Sequence, residues 1–424
     1  MTSDSVSKQV KRRRVFYIPG YDPIHPRRYR ELYRKEGAAQ AAISGYDIGI
    51  TPKPKSETFG WQATAMIEGC DVTADIDVLV WSDIVRDSMS NSIPATYLQL
   101  IRTAWTYIGT GTLRRLMKMR KGPVIAALYP IGMLLLQLAC ALFVWFAIAS
   151  AVTGIIRFGY SAFVGQGQLQ GPYHLTVTVV SVAVGFFAFV RLMRWFKAKD
   201  GKFFAYYLMH DYSYSARWNG ANPAPLEGRI DEFADKIAAA FEGDFDEVLV
   251  VGHSSGAHLS VSILADLIRA GRIPAEGASL GFLSLGQVVP MVSFLPEAKR
   301  LRADLAYLSM QSAVTWVDVT APGDGCAFAL CDPVAVSGVA PAAKRWPLVI
   351  SAAFTQTLKP ETWKALRWRF FRLHFQYMCA FDNPGDYDYF QITCGPKTLA
   401  TRYQGRSPSK SRIETPLSKY TTTR

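Results

Sequence analysis

The sequence predicts an α/β protein in which a mostly parallel sheet, with helices on both faces, is interrupted by a pair of membrane-spanning helices. Three observations lead to this fold class. Short apolar and β-branched runs alternate with segments of helical spacing along much of the chain. One such run passes through a serine flanked by glycines into an amphipathic helix. Two longer stretches in the first half of the chain are apolar enough to cross a bilayer.

Composition and charge limit the classes of protein that this chain can represent. Its 424 residues are 50% hydrophobic, which is enough for a sizeable core and excludes a mainly disordered chain. The formal net charge is +13, but the basic residues stand beside the apolar stretches and at the chain ends. That placement favours an anionic membrane surface over nucleic acid as a partner. The six cysteines form no C-x-x-C pair and no His/Cys cluster, so no metal site or disulfide framework is predicted.

The first part of the chain is predicted to be a basic segment, residues 1–14, followed by the first part of an α/β domain, residues 15–122. The apolar run at 15–18 ends at Pro19-Gly20 and is too short for a cleavable targeting signal. It therefore predicts a first strand, and residues 76–81 predict a further one.

Residues 123–199 are predicted to form a transmembrane helical hairpin. No charged residue occurs from 123 to 156, which is long enough to cross about 30 Å of hydrocarbon. The second stretch, 175–190, is shorter, and a buried core helix is its alternative, although Arg191 and Arg194 can snorkel. The connection at 159–174 has no Lys or Arg, whereas both flanks are basic. The chain is therefore predicted to cross a bacterial-type inner membrane twice. The positive-inside rule places its other parts in the cytoplasm. A re-entrant anchor would give the same disposition.

The segment 247–269 carries the most specific chemical signal. An apolar run at 248–251 is typical of a strand buried on both faces, and residues 256–269 show helical spacing of apolar positions. Between them, Gly252 to Gly256 reads G-x-S-x-G around Ser254, in the strand, turn and helix order that this motif requires. A serine in such a turn has a strained backbone, so its neighbours two positions away must lack side chains. We therefore predict that Ser254 is a nucleophile; a serine in an ordinary tight turn is the alternative.

This segment resembles the nucleophile elbow of the α/β-hydrolase fold superfamily, and within it the lipase-like members. The resemblance extends over both soluble parts, about 15–110 and 200–400, but only the elbow is highly specific. It implies a triad in the order Ser, acid, His, with an acyl-enzyme on Ser254 and no cofactor. The chain differs from the family pattern because it starts at the third strand, with no room for the usual first hairpin.

Two partners for Ser254 are therefore expected later in the chain. His374 remains as the base after the other histidines are eliminated as too early or too close to Ser254, and a packing histidine on an apolar strand is the alternative. Asp324 follows the predicted strand at 313–320, where the family has its acid. Asp332 is a competing acid, because lipase-like relatives often have Asp-Pro-Val in this region. Asp318 lies within the strand.

The resemblance also implies an oxyanion hole made of two backbone N–H groups. Ser255, the residue after the nucleophile, would supply one of them. Tyr21 would supply the other, from a loop that looks like the His-Gly segment of lipases with Pro19 in place of the histidine. Gly20 would let the backbone approach the substrate, and an ordinary Pro-Gly turn is the alternative.

The second part of the α/β domain is predicted over residues 200–401, followed by a flexible basic tail at 402–424. Further strands are expected at 279–285 and 313–320, and helices at 230–241 and 298–308. The function expected first is a membrane-anchored esterase or lipase acting on a lipid or other amphiphilic acyl ester. An acyltransferase with the same acyl-enzyme and a catalytically silent membrane scaffold are the alternatives.

Overall fold

The computed structural model describes residues 9–21, 25–53, 58–88, 92–164 and 172–424. The chain divides into two compact units. An α/β unit comprises Met1–Met89, Ala104–Ala126 and Tyr214–Arg424, and a helical unit comprises Ser90–Thr103 and Ala127–Ser213. Residues 1–8 of the predicted basic segment and 165–171 of the predicted connection lie outside the described residues.

An eight-stranded sheet forms the centre of the α/β unit. Its strands are β1 (Arg12–Ile18), β2 (Asp47–Pro52), β3 (Gly60–Ile67), β4 (Cys70–Val78), β5 (Glu247–His253), β6 (Ser279–Leu285), β7 (Val314–Thr320) and β8 (Leu348–Ser351). Their order across the sheet is β2-β3-β4-β1-β5-β6-β7-β8. From β4 to β8 all neighbours are parallel, whereas β3 is antiparallel to both β2 and β4. The predicted α/β class with a mostly parallel sheet is confirmed.

The α-helices fall on both sides of this sheet and in the helical unit. In chain order they are α1 (Arg27–Ser44), α2 (Ser82–Ser88), α3 (Ile93–Gly109), α4 (Thr112–Met119), α5 (Lys121–Val164), α6 (Pro172–Ala198), α7 (Asp200–Phe203), α8 (Ala205–Arg217), α9 (Ala224–Ala239), α10 (Gly256–Arg269), α11 (Val289–Ser293), α12 (Lys299–Leu308), α13 (Pro333–Val336), α14 (Phe354–Thr357), α15 (Pro360–Leu366), α16 (Phe370–His374), α17 (Tyr389–Cys394) and α18 (Leu399–Arg402). Short 3-10 turns occur at Ala240–Glu242 and Gln376–Met378. The helical unit contains α6, α7 and parts of α3, α5 and α8.

Alternate residues of the central strands enter two different cores. Val15 and Tyr17 of β1 pack in a core that includes side chains of α1 and α17. Phe16 and Ile18 pack in a second core with side chains of α9, α10 and α12. Because side chains alternate across a strand, the central strands need apolar residues at every position, which is why their sequences read as continuous apolar runs.

The two apolar stretches are helices long and apolar enough to cross a membrane, over Lys121–Phe163 and Tyr173–Ala198. Their large side chains face outward: Phe163 on α5 is 91% exposed, and Phe187 on α6 is 68% exposed. A core helix in a water-soluble protein buries such side chains, so this exposure favours a lipid-facing surface over the core-helix alternative for α6. The predicted connection at 159–174 is shorter than expected, because α5 continues to Val164 with no proline to end it.

An antiparallel pair, β2 and β3, extends the sheet beyond β4 and is absent from the sequence prediction. β2 is the edge strand and has no buried residue, and β3 buries only alternate residues, so neither strand reads as a continuous apolar run. The predicted strand at 76–81 is β4, which begins earlier and ends at Val78. The hairpin of β2 and β3 therefore lies at the β4 side of the sheet, where no hairpin was expected. It follows β1 in the chain, whereas the family's first hairpin precedes the third strand.

The C-terminal tail differs from the prediction of a flexible segment. Residues 402–424 lie along the α/β unit, where Ile413 forms a bridge with Cys331. The N–H of Ser409 donates to the carbonyl of Val349 at 2.9 Å. The buried guanidinium of Arg302 donates to the carbonyl of Thr422 at 2.8 Å. Hydrogen bonds to distant partners thus order a segment that has few apolar residues of its own.

The arginines of the predicted basic N-terminal segment also have structural roles, because β1 begins at Arg12. Arg13 is completely buried, and its Nε lies 2.6 Å from Glu247 Oε2 on β5. Arg14 pairs with Asp77 on β4. These ion pairs therefore link β1 to both neighbouring strands, and a buried pair of this kind is costly to break.

Candidate active site

Ser254 lies between the end of β5 and the start of α10, in a sharp turn. Its φ of 56° is in the left-handed region, which residues other than glycine rarely adopt. The N–H of Ser254 donates to the carbonyl of Leu285, at the end of β6, at 2.9 Å. The strand, strained turn and helix thus hold a half-buried serine side chain at the carboxyl edge of the parallel strands.

The glycines two positions before and after Ser254 lie where no side chain fits. A Cβ on Gly256 would lie 2.1 Å from the carbonyl oxygen of Ile18, in β1. A Cβ on Gly252 would lie 2.5 Å from Ser260 Oγ. Both distances are far below van der Waals contact, so α10 approaches β1 and β5 this closely only with glycine at both positions.

The loop after β1 lies against the serine, as an oxyanion loop would. A Cβ on Gly20 would be 2.9 Å from Ser254 Cβ and 3.3 Å from Ser254 Oγ. Tyr21, which follows Gly20, has a buried ring, and its hydroxyl lies 2.5 Å from Ser88 Oγ. In the part of the chain that the structure describes, the N–H of Ser255 makes no hydrogen bond. This N–H could therefore donate a hydrogen bond to an oxyanion.

His374 and Asp324 form a buried hydrogen-bonded pair. His374 Nδ1 lies 2.7 Å from Asp324 Oδ2. The Tyr377 hydroxyl also donates to Asp324 Oδ2, at 2.9 Å, and the N–H of Cys326 donates to Asp324 Oδ1, at 2.8 Å. Asp324 follows β7, as predicted, but His374 ends the short helix α16 and does not lie in a strand. The pair therefore has the geometry of a base and the group that orients it.

Opposing effects act on the pKa of Asp324. Burial alone would raise the pKa of this carboxyl, but the adjacent His374 and the hydrogen bonds from His374, Cys326 and Tyr377 hold it below its ordinary value. The carboxylate form is therefore kept at neutral pH. A carboxylate in this position accepts the Nδ1–H of His374 and leaves Nε2 free to act as a base.

His253 and Gly286 connect this pair to the elbow. The ring of His253, which precedes Ser254, lies 4.7 Å from the ring of His374, and its Nε2 lies 3.0 Å from the carbonyl of His374. Because a carbonyl only accepts, His253 Nε2 carries the proton. Burial, with a smaller effect of His374, lowers the pKa of His253 to about 3, so this ring stays neutral. Gly286 follows Leu285, and a Cβ there would lie 2.9 Å from His374 Cε1.

Among the described residues, Ser254 Oγ makes no hydrogen bond to His374. Catalytic hydrogen bonds are often long in a protein without substrate and shorten in the reacting complex. Leu285 accepts the Ser254 N–H, and its neighbour Gly286 lies against the His374 ring, so both residues adjoin the end of β6. The structure therefore places Ser254 at the end of β5, and the bonded pair of His374 and Asp324 beside the loops that follow β6 and β7.

Asp332, the competing acid, has a different role in the structure. Its Oδ1 accepts the N–H groups of Val334 and Ala335 at 3.0 Å each and so caps α13. Its Oδ2 lies 2.7 Å from Lys344 Nζ. Asp324, and not Asp332, is the carboxylate beside His374.

The third aspartate, Asp318, is fully buried within β7. Its Oδ1 accepts the Ser284 hydroxyl at 2.6 Å, whereas its Oδ2 has no hydrogen-bond partner among the described residues. Burial, with a further contribution from Asp332, raises the pKa of Asp318 to about 8. The folded protein therefore keeps this carboxyl protonated at neutral pH.

Asp318→Asn is expected to flatten the pH dependence of stability. The folded carboxyl binds its proton up to about pH 8, and the unfolded one loses it near pH 3.8, so the free energy of unfolding falls as pH rises between these values. The variant lacks this loss and should be more stable than wild type at pH 8, by roughly 1–3 kcal/mol, with little difference at pH 4. Thermal unfolding in detergent between pH 4 and pH 8 measures this difference in stability. The exposed Asp71→Asn is the control, and equal pH slopes for wild type and Asp318→Asn would contradict the prediction.

A metal is the alternative occupant of part of this site. Ligand atoms of Asp324, Cys326 and His374 all lie within 4.8 Å of one another, and thiolate, imidazole and carboxylate are zinc ligands. However, both oxygens of Asp324 and the Nδ1 of His374 already take part in hydrogen bonds. Metal ligation would displace the bond between His374 and Asp324, so the arrangement favours a base with its orienting carboxylate.

Sequence reasoning missed two residues that position the site, Tyr377 and His253. Tyr377 donates to Asp324 and also accepts the N–H of Ala321 at 3.0 Å, so it supports the acid and its loop together. Its position three residues after His374 is the signal that could have found it. Comparisons of the chain with protein-family models, curated proteins and solved structures found no match. The functional interpretation therefore depends on the site geometry.

Proposed function

We propose that this protein is a membrane-anchored serine hydrolase with an α/β-hydrolase-type site, which cleaves a lipid or other amphiphilic acyl ester. The observation that carries the proposal is the buried pair of His374 and Asp324, at 2.7 Å, beside an elbow that holds Ser254 at a φ of 56°. A strained serine after β5, a carboxylate in the loop after β7 and a histidine at the end of α16 are the parts that acyl transfer requires.

In the proposed reaction, His374 takes the proton of Ser254 as its Oγ attacks the ester carbonyl carbon. Asp324 holds Nδ1–H and stabilises the imidazolium that forms. The oxyanion accepts hydrogen bonds from the N–H groups of Ser255 and Tyr21. Collapse breaks the ester bond, and the leaving alcohol takes the proton from His374. Water, deprotonated by His374, then attacks the acyl-enzyme and releases the acid and Ser254.

The two apolar helices support a site that works at a bilayer. Basic residues at 114–121 and 191–202 flank the pair, while Arg157 is the one Lys or Arg between the two apolar stretches, which favours a cytoplasmic α/β unit. A substrate anchored in the bilayer would reach the enzyme by lateral diffusion, with its apolar part still in lipid. That placement favours an amphiphilic ester over a small soluble one.

Labelling with a fluorophosphonate probe tests the proposal. The detergent-solubilised wild type is expected to be labelled, and Ser254→Ala is expected to lose the label completely, because the probe reacts with an activated serine. Ser255→Ala is the matched control and should keep the label, since it retains the nucleophile and the backbone N–H. Labelling should also persist in a metal chelator. A folded wild type that takes no label would overturn the proposal and favour a scaffold, and acyl transfer to an added alcohol would indicate an acyltransferase.

A further inference from the structure

Residues 367–372, Arg-Trp-Arg-Phe-Phe-Arg, form a continuous exposed surface between α15 and the end of α16. We refer to them as the aromatic-basic segment. Trp368 is 73% exposed, and Phe370 and Phe371 are 40% and 41% exposed. Adjacent exposed aromatic rings are costly in water and mark a binding surface.

The arginines of the aromatic-basic segment differ from many others among the described residues in their ionic contacts. Arg367, Arg369 and Arg372 form no ion pair with a carboxylate in the described parts of the chain, although many other arginines do. The guanidinium of Arg367 lies 5.6 Å from the centre of the Trp368 ring. Alternating aromatic rings and unpaired guanidinium groups fit the bilayer interface, where Trp lies at headgroup level and Arg binds phosphate.

The aromatic-basic segment packs on the loop that carries Asp324. A Cβ on Gly325 would lie 2.9 Å from Phe370 Cδ1. The same glycine also lies beside the start of an apolar helix, because a Cβ on Gly122, the second residue of α5, would lie 3.4 Å from Gly325 Cα. The exposed segment, the loop of the candidate acid and the first turn of α5 are therefore neighbours within the α/β unit.

We propose that the aromatic-basic segment docks on anionic phospholipid headgroups, at the surface of the bilayer that holds α5 and α6. The docking surface follows from the exposed rings, the unpaired charges and their position beside the start of α5; the presence of a bilayer there rests on the proposed function. Docking next to His374 would hold the site of Ser254 at the lipid surface. It would thereby favour lipid esters that carry an anionic headgroup or that lie next to anionic lipids in the bilayer.

Hydrogen exchange of the full chain in lipid nanodiscs tests the docking. The Ser254→Ala protein is used, so that no lipid is consumed, in nanodiscs of phosphatidylcholine alone or with phosphatidylglycerol. Peptides that cover 367–373 are expected to exchange roughly tenfold more slowly in the anionic discs. The variant Arg367→Gln/Arg369→Gln/Arg372→Gln should lose this difference. The control Arg27→Gln/Arg28→Gln/Arg345→Gln removes as many exposed charges elsewhere and should keep it.

Equal exchange in the two kinds of nanodisc would overturn the proposal. It would also be overturned if the control triple variant lost the difference as fully as the segment variant, or if a single-stranded oligonucleotide protected the segment and anionic lipid did not. The result is separate from catalysis because the tested protein lacks its nucleophile. Failure of fluorophosphonate labelling would overturn the proposed function without changing the exchange result.

Discussion

Asp324→Asn is expected to lower kcat/KM for ester hydrolysis by about 10³–10⁴-fold, with little change in folding. The amide has no charge with which to stabilise an imidazolium on His374. It also allows the ring tautomer in which Nε2 carries the proton and cannot act as a base. The substitution keeps the size of the side chain. It also keeps an oxygen to accept the N–H of Cys326, which in wild type lies 2.8 Å from Asp324 Oδ1. Hydrolysis of a chromogenic short-chain ester by the solubilised wild type and variant gives the ratio of their kcat/KM values.

Asp332→Asn is the matched control, because this aspartate is equally buried and was the competing acid. An asparagine can still cap α13, and the residue does not bind His374, so kcat/KM should change by less than about fivefold. A near-normal Asp324→Asn combined with a strongly impaired Asp332→Asn would reverse the assignment of the acid. Thermal unfolding of both variants separates lost chemistry from lost folding.

Gly256→Ala is expected to destabilise the α/β unit by roughly 3 kcal/mol or more, and to abolish probe labelling. Its new methyl group would lie 2.1 Å from the carbonyl oxygen of Ile18 and 2.6 Å from that of Pro19. Both are backbone atoms of β1 or the loop after it, so relief requires α10 to move away from β1. That movement would displace Ser254 and the N–H of Ser255 together.

Gly228→Ala provides the control for this substitution. Gly228 lies in α9, and a Cβ there would meet no atom within 4 Å. Alanine is the better helix former, so this variant should be as stable as wild type or more stable by about 0.5–1 kcal/mol. Thermal unfolding in detergent compares the two. A Gly256→Ala protein with the wild-type melting temperature and full labelling would contradict the close packing of α10 on β1.

Local periodicity allowed the sequence alone to determine several elements. The apolar run, glycines and helical spacing around Ser254 correspond to β5, the turn and α10. The strand predicted at 279–285 has the bounds of β6, and the long apolar stretches became α5 and α6. In each case the pattern depends on residues that are close in the chain, because burial on both faces or in lipid needs an unbroken apolar run.

Only the tertiary structure decided which distant residues meet. Composition predicted a flexible tail at 402–424, but backbone hydrogen bonds to residues such as Val349 and Leu330 order it. The sequence predicted a basic segment at 1–14 ahead of the α/β domain, but Arg13 belongs to β1 and is buried against Glu247. Asp324 was the acid favoured from the sequence and Asp332 its competitor, and His374 is beside Asp324 because α16 ends against the loop after β7. Residues 50 positions apart in the chain, such as Asp324 and His374, meet because of how the secondary-structure elements pack. Such a contact produces no periodic pattern in the sequence around either residue.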